Sequence, residues 1–190
     1  MRDTERSNSK NMARFPQRVV ISVVVAVVLL VGISLFLTRA YRVDSTAFSG
    51  LTGNTERGER IFVAAGCASC HHAPGAKDDA RLILTGGQVF ETQFGRFTAP
   101  NVSPDPKAGI GAWSLEDFAS ALRFGTSPAG RHYYPVFPYT AYTRMTDGQI
   151  ADLWSYFQTL PQDGTSNAAH DLRFPYSLRA GIGLWKSLYL

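Results

Sequence analysis

Charge is scarce in this 190-residue chain: Asp, Glu, Lys and Arg together make up only 18% of it. With aromatics at 12%, that scarcity excludes an intrinsically disordered polymer for most of the length. Cysteine occurs just twice, at Cys67 and Cys70, and no second cysteine pair exists to complete a four-ligand zinc site. No strand-like alternation of convincing length appears, which argues against an all-β domain. The length allows one compact domain with an appendage, but hardly two. What the chain does have is 17 glycines and 10 prolines, the composition of a loop-rich fold.

A formal net charge of +4 and a pI near 9.2 suggest a nucleic-acid partner until the charges are located. Residues 1–18 hold Arg2, Arg6, Lys10, Arg14 and Arg18 against Asp3 and Glu5, leaving 14 basic and 13 acidic groups for the other 172 residues. The basic character belongs to a tail, and no nucleic-acid partner is expected. Residues 19–37 then run VVISVVVAVVLLVGISLFL without a charge. At the helical rise they cover roughly 28 Å, close to the ~30 Å hydrocarbon thickness of a bilayer. The run is apolar on every face, unlike a core helix. It exceeds the usual apolar region of a cleaved secretory signal, although small-x-small sites at Thr38-Arg39-Ala40 and Ser45-Thr46-Ala47 leave cleavage open. The basic excess before it predicts a cytoplasmic N-terminus, with everything from about residue 40 exported.

In an exported domain a disulfide is the default for two cysteines. Here they stand in Gly66-Cys67-Ala68-Ser69-Cys70-His71, the C-x-x-C-H signature of c-type haem attachment. On a helical turn, positions i and i+3 share a face, so both thiols reach the vinyl groups of one porphyrin while His71 turns towards the iron. A thioredoxin-type redox pair requires a βαβ context that the flanking sequence lacks.

Along the exported part, residues 38–53 read as a polar tether. A helix is expected from about Thr55 to Ala65, leading into the haem motif. Residues 72–112 carry Gly86-Gly87 and the stretch APNVSP from Ala99, and are expected to form loops with little regular structure. Ser114 with Asp117 forms a capping box ahead of a stripe at Leu115, Phe118, Ala119 and Leu122, stopped by Gly125. Thr146 and Gln149 do the same for a last helix with Ile150, Leu153, Trp154 and Phe157 on its buried side, ended by Pro161. The expected fold is mainly α: a haem domain over residues 54–162, after a basic tail (1–18), a transmembrane anchor (19–37) and a tether (38–53).

Gly58 and Phe62 ahead of the C-x-x-C-H motif, together with the aromatic-bearing last helix, resemble class I c-type cytochromes, in which the first and last helices cross at the glycine. Residues 99–125 and 130–161 are similar to cytochrome c subunits of membrane-bound periplasmic dehydrogenases acting on alcohols, aldehydes or sugar acids. The resemblance covers roughly residues 55–161. Many such relatives carry two or three haem domains, whereas the single C-x-x-C-H here predicts one covalent haem c. The resemblance implies single-electron transfer from a dehydrogenase to a quinone or oxidase, and a periplasmic location on a bacterial inner membrane. The protein is then not an enzyme by itself.

The resemblance also implies a methionine sulfur as distal ligand. Met145 is the one methionine after the motif. Phe137-Pro138-Tyr139 stands where many relatives carry Met-Pro-Tyr. Met145 also precedes the Thr146 cap and faces Ile150, the arrangement of a hydrophobic staple, so a packing role stays open. His132 is the substitute ligand; His72 is expected to face solvent and His170 to lie in a polar linker. Asn101, Trp113, Arg131 and Tyr134 are candidate donors to the haem propionates, since buried carboxylates require donors. Residues 163–190 form a C-terminal tail whose apolar residues have no evident partner, the mark of a docking surface; a strand or helix packed on the domain itself is the alternative. Two other functions stay open: a haem-based redox or gas sensor, and an anchoring subunit with structural haem.

Overall fold

The computed structural model describes residues 17–190. Helix α1 (Gln17–Leu37) belongs to a first unit ending at Arg39, and everything from Ala40 to Leu190 forms a second. Every side chain of α1 is exposed, and from Val19 to Leu37 it carries no charge. Among the described residues it is the one helix long and apolar enough to cross a membrane, a test that a signal sequence also passes.

Helices are the main regular structure of the second unit. Helix α2 (Thr55–Ala65) is capped by the Asn54 side chain, which accepts from the Arg57 amide, and Gly66 ends it in the left-handed conformation at φ 67°. The chain turns there into the short helix α3 (Cys67–His71). Helices α4 (Leu115–Phe124) and α5 (Asp147–Phe157) begin with the capping boxes expected at Ser114/Asp117 and Thr146/Gln149. α5 ends at the Gln158 cap, three residues before Pro161.

Packing centres on the crossing of α2 and α5. A Cβ at Gly58 would overlap the carbonyl oxygen of Asp152 and stand 2.7 Å from its carbon, so only glycine permits this approach. Phe62 fills the crossing, its ring 5.1 Å from Tyr156 and 5.4 Å from Phe157. Phe118 of α4 joins it 5.2 Å from Phe157, and Leu84, Ile110, Leu122, Ile150 and Leu153 complete the core.

The structure adds detail to three of these expectations. Residues 72–112 are not uniformly irregular: a 3-10 turn covers Asp78–Leu82, and β1 (Val89–Thr92) pairs antiparallel with β2 (Gly95–Thr98). Strands of four residues are too short to show an alternation in sequence. Within the expected tether, residues 38–53, the part from Ala40 onward packs on the domain. Phe48 is buried in the main core, the Val43 amide donates to Ser120 Oγ at 3.1 Å, and Arg42 pairs with Asp117.

Part of the tail, finally, packs on the domain. β3 (Asp171–Leu172) extends the hairpin to the order β1-β2-β3, and helix α6 (Ala180–Tyr189) buries Ile182, Gly183 and Lys186. Ile182 forms a second, smaller core with Phe97 and Tyr134. The partners lie 48 to 85 residues back along the chain, which local patterning does not reveal.

Candidate haem attachment site

Gly66 allows α2 to end and α3 to begin without a gap, and this places both cysteines on one helical turn. Cys67 is half-buried against the main core and Cys70 is exposed, both as free thiols. Burial pushes the Cys67 thiol up to about 12, with the neighbouring Cys70 adding to the shift, so it remains protonated.

His71 Nδ1 lies 2.9 Å from the carbonyl oxygen of Pro100. A carbonyl only accepts, so Nδ1 carries the hydrogen and Nε2 keeps its lone pair. Burial lowers the His71 pKa and favours this neutral form, while the Pro100 contact acts in the opposite sense. Pro100 is held in place by a short backbone ladder. The Gly86 amide donates to the His71 carbonyl at 2.7 Å, Gly87 to Ala99 at 2.9 Å and Val102 to Leu84 at 3.0 Å. Gly86 has φ 73°, and a Cβ there would stand 2.5 Å from the Pro100 carbonyl. Pro100 and Gly86 support the candidate site and were not singled out from the sequence. Both lie at turn signals, but a backbone carbonyl has no side-chain signature.

The loop between α4 and α5 closes over the same turn. Tyr142 Oη donates to the carbonyl of Ala65 at 3.0 Å, and its pKa is raised by burial and by the nearby Cys67 and Cys70. Met145 donates its amide to the Tyr142 carbonyl and accepts from Arg123 at 2.7 Å. Its half-buried side chain lines a cleft shared with Tyr142, Ala65, Ala64 and Ile61. Met145 is thus brought to the end of α2 that carries the attachment turn.

The four expected propionate donors separate into two pairs. Asn101 is buried, and its amide nitrogen donates to the carbonyls of Asp163 and Thr165 at 2.7 and 2.9 Å, which uses both of its hydrogens. Tyr134 is buried in the second core, where its hydroxyl donates to the Tyr176 carbonyl at 3.0 Å. In this structure both side chains clasp the C-terminal segment. Trp113 is half-buried against the main core, and Arg131 is exposed in a tight turn closed by Ser127.

The remaining histidines find other surroundings. His72 is half-buried beside Gln88, whose amide lies 3.0 Å from Nε2, and so does not simply face solvent. His132 passes its carbonyl to Arg179. His170 packs on Phe97 and Tyr134, and its Nδ1 accepts from the Thr98 amide at 3.2 Å.

These residues fit a covalently attached haem. Two thiols share one helical turn, an adjacent imidazole has its distal nitrogen free to ligate, and partly buried Leu82, Val102, Phe137 and Tyr142 supply apolar surface. Comparisons with known proteins agree. The cytochrome c family model matches residues 55–161. A diheme cytochrome c-type protein of Cereibacter sphaeroides is 51% identical over 164 residues, covering 86% of this chain and 55% of that protein. The fructose dehydrogenase cytochrome subunit of Gluconobacter japonicus is 36% identical over 150 residues, covering 78% of this chain and 30% of the subunit. The cytochrome c subunit of the quinone-type alcohol dehydrogenase of Gluconobacter oxydans is 32% identical over 136 residues, or 71% of this chain and 27% of that subunit. The chain thus spans about half the length, or less, of these relatives.

Proposed function

Because the chain belongs to the cytochrome c family, we propose that it is a membrane-anchored carrier of single electrons, holding one haem c on the periplasmic side of a bacterial inner membrane. The observation that carries this reading is the His71–Pro100 contact beside the single C-x-x-C-H motif. The attached group supplies a one-electron ferric–ferrous couple. Everything else is the work of this chain's residues. Cys67 and Cys70 give up their thiol hydrogens to covalent attachment. His71 presents Nε2 as proximal ligand, and the Pro100 carbonyl fixes its tautomer and ring orientation. Met145 offers its sulfur from the opposite loop. Trp113 and Arg131 are the proposed propionate donors. None of these groups must bind a substrate or move a proton, so the chain acts as an electron-transfer component and not as a catalyst.

α1 is the proposed anchor, oriented by the basic residues that precede it in sequence. A periplasmic or membrane-bound dehydrogenase is the proposed electron donor, supported by the dehydrogenase subunits among the relatives. A quinone or an oxidase is the proposed acceptor. The test is a redox titration of the haem-loaded protein in membranes. A reversible one-electron wave, with a low-spin ferrous spectrum indifferent to carbon monoxide, is expected. A high-spin ferrous form that binds carbon monoxide would overturn the carrier reading in favour of a sensor.

A further inference from the structure

The haem site makes no use of an exposed apolar surface at the C-terminal end of the described residues. Helix α6 turns Leu184, Leu188 and Tyr189 outward, and the segment leading into it exposes Phe174 and Leu178. Trp185 stacks on Tyr189 with ring centroids 5.4 Å apart. From Leu172 to Leu190 the chain has no acidic residue, and Arg173 is the exposed cation beside these apolar side chains. An exposed aliphatic and aromatic face without a carboxylate suits a lipid headgroup layer.

The opposite side of α6 is pinned. Ile182 enters the second core, Arg179 lies 4.6 Å over the Tyr134 ring, and Lys186 Nζ donates to the carbonyls of Phe124 and Gly125 at the end of α4. Phe124 in turn packs against Tyr41, ring centroids 6.4 Å apart. Tyr41 follows Leu37, the last residue of α1, by four positions. A chain that short spans at most about 14 Å. Wherever α1 leaves a bilayer, Tyr41 is therefore close to the headgroups, and α6 is one aromatic ring beyond it.

We propose that α6 and the segment leading into it form a peripheral membrane contact, laying their apolar face into the headgroup–acyl boundary of an anionic bilayer and fixing the orientation of the haem unit. The proposal rests on the reading of α1 as a retained anchor. A lipid surface fits better than a protein partner because the chain's own connectivity holds the bilayer nearby, and because the patch has no acidic group to repel anionic lipid.

The test uses the haem-loaded full chain, one copy per nanodisc of phosphatidylethanolamine and phosphatidylglycerol. Attachment consumes both native thiols, so Leu188→Cys is the one site for a nitroxide label; Val63→Cys on α2, where Val63 is 71% exposed, is the control. The label at 188 is expected to collide several-fold less with a water-soluble nickel chelate than the label at 63, and more with oxygen. Equal access of the chelate to both, in protein that stays in the disc, overturns the contact while leaving the anchor standing. Loss of the protein from the discs overturns the anchor reading and this proposal with it. Protection in many-copy vesicles but not in single-copy discs assigns the surface to a second copy and also overturns it. A Leu184→Glu variant labelled at Phe174→Cys, with an unchanged haem spectrum, is expected to regain chelate access.

Discussion

The Nδ1 of His71 lies 2.9 Å from the carbonyl oxygen of Pro100, so the imidazole is oriented by a backbone atom 29 residues away in sequence. The same ladder returns the favour through the Gly86 amide, 2.7 Å from the His71 carbonyl. The proximal ligand is therefore held at both its side chain and its main chain by one loop.

Gly86→Ala should disturb that loop directly. The new Cβ would press on the Pro100 carbonyl at a residue with φ 73°, and alanine is strained there. A loss of about 1–3 kcal/mol is expected in denaturant unfolding. The proximal hydrogen bond raises the basicity of the imidazole, so its weakening should raise the reduction potential. A destabilised protein with an unshifted potential would show that the Pro100 contact does not tune the iron.

Met145→Leu separates ligation from packing. Leucine keeps the volume facing Ile150 and should change stability by less than about 1.5 kcal/mol. If the sulfur ligates, its charge-transfer band disappears, the potential falls and the ferrous form binds carbon monoxide. An unchanged optical spectrum would leave Met145 as a staple and redirect the search for a distal ligand to His132.

What was legible in the sequence follows from how locally each feature is encoded. The boxes at Ser114/Asp117 and Thr146/Gln149 close within three residues, and the structure forms both. The Gly58 crossing was legible through the family resemblance. The β1-β2 hairpin was not, because two four-residue strands carry no usable period. Asn101 and Tyr134 carry donor groups suited to a propionate, but their partners, Asp163, Thr165 and Tyr176, lie 42 to 64 residues further on. Phe48 is a single apolar residue in a polar stretch, and its burial depends on the assembled core.

Gly58→Ala should be severe. The added Cβ would overlap the Asp152 carbonyl and stand 2.9 Å from Tyr156 Cβ, with backbone on one side of the contact. Separating α2 from α5 to accommodate it would also loosen Phe62, so a loss of roughly 3 kcal/mol or more is expected. Thermal unfolding of the haem-loaded variant checks this; a wild-type midpoint would mean that the crossing yields cheaply.

Asp152 supplies the acid-sensitive link of the same crossing. Its carboxylate accepts from Arg57 Nε at 2.7 Å and from the Asn54 amide at 2.6 Å, tying the start of α2 to α5. The hydrogen bond from Arg57 is the main reason its pKa lies below the usual carboxylate value; burial opposes the shift. A carboxyl whose folded pKa is depressed contributes stability that is present above its unfolded pKa, about 3.9, and lost as the pH falls through the folded value. Asp152→Asn removes the charge and leaves one acceptor. It should cost about 1.5–3 kcal/mol near neutral pH, the range for hydrogen bonds to charged groups. The gap between wild type and variant should then shrink below pH ~4, as first the unfolded and then the folded carboxyl takes up a proton. Urea unfolding across that range measures it, and a gap independent of pH would assign the loss to packing and not to the Arg57 pair.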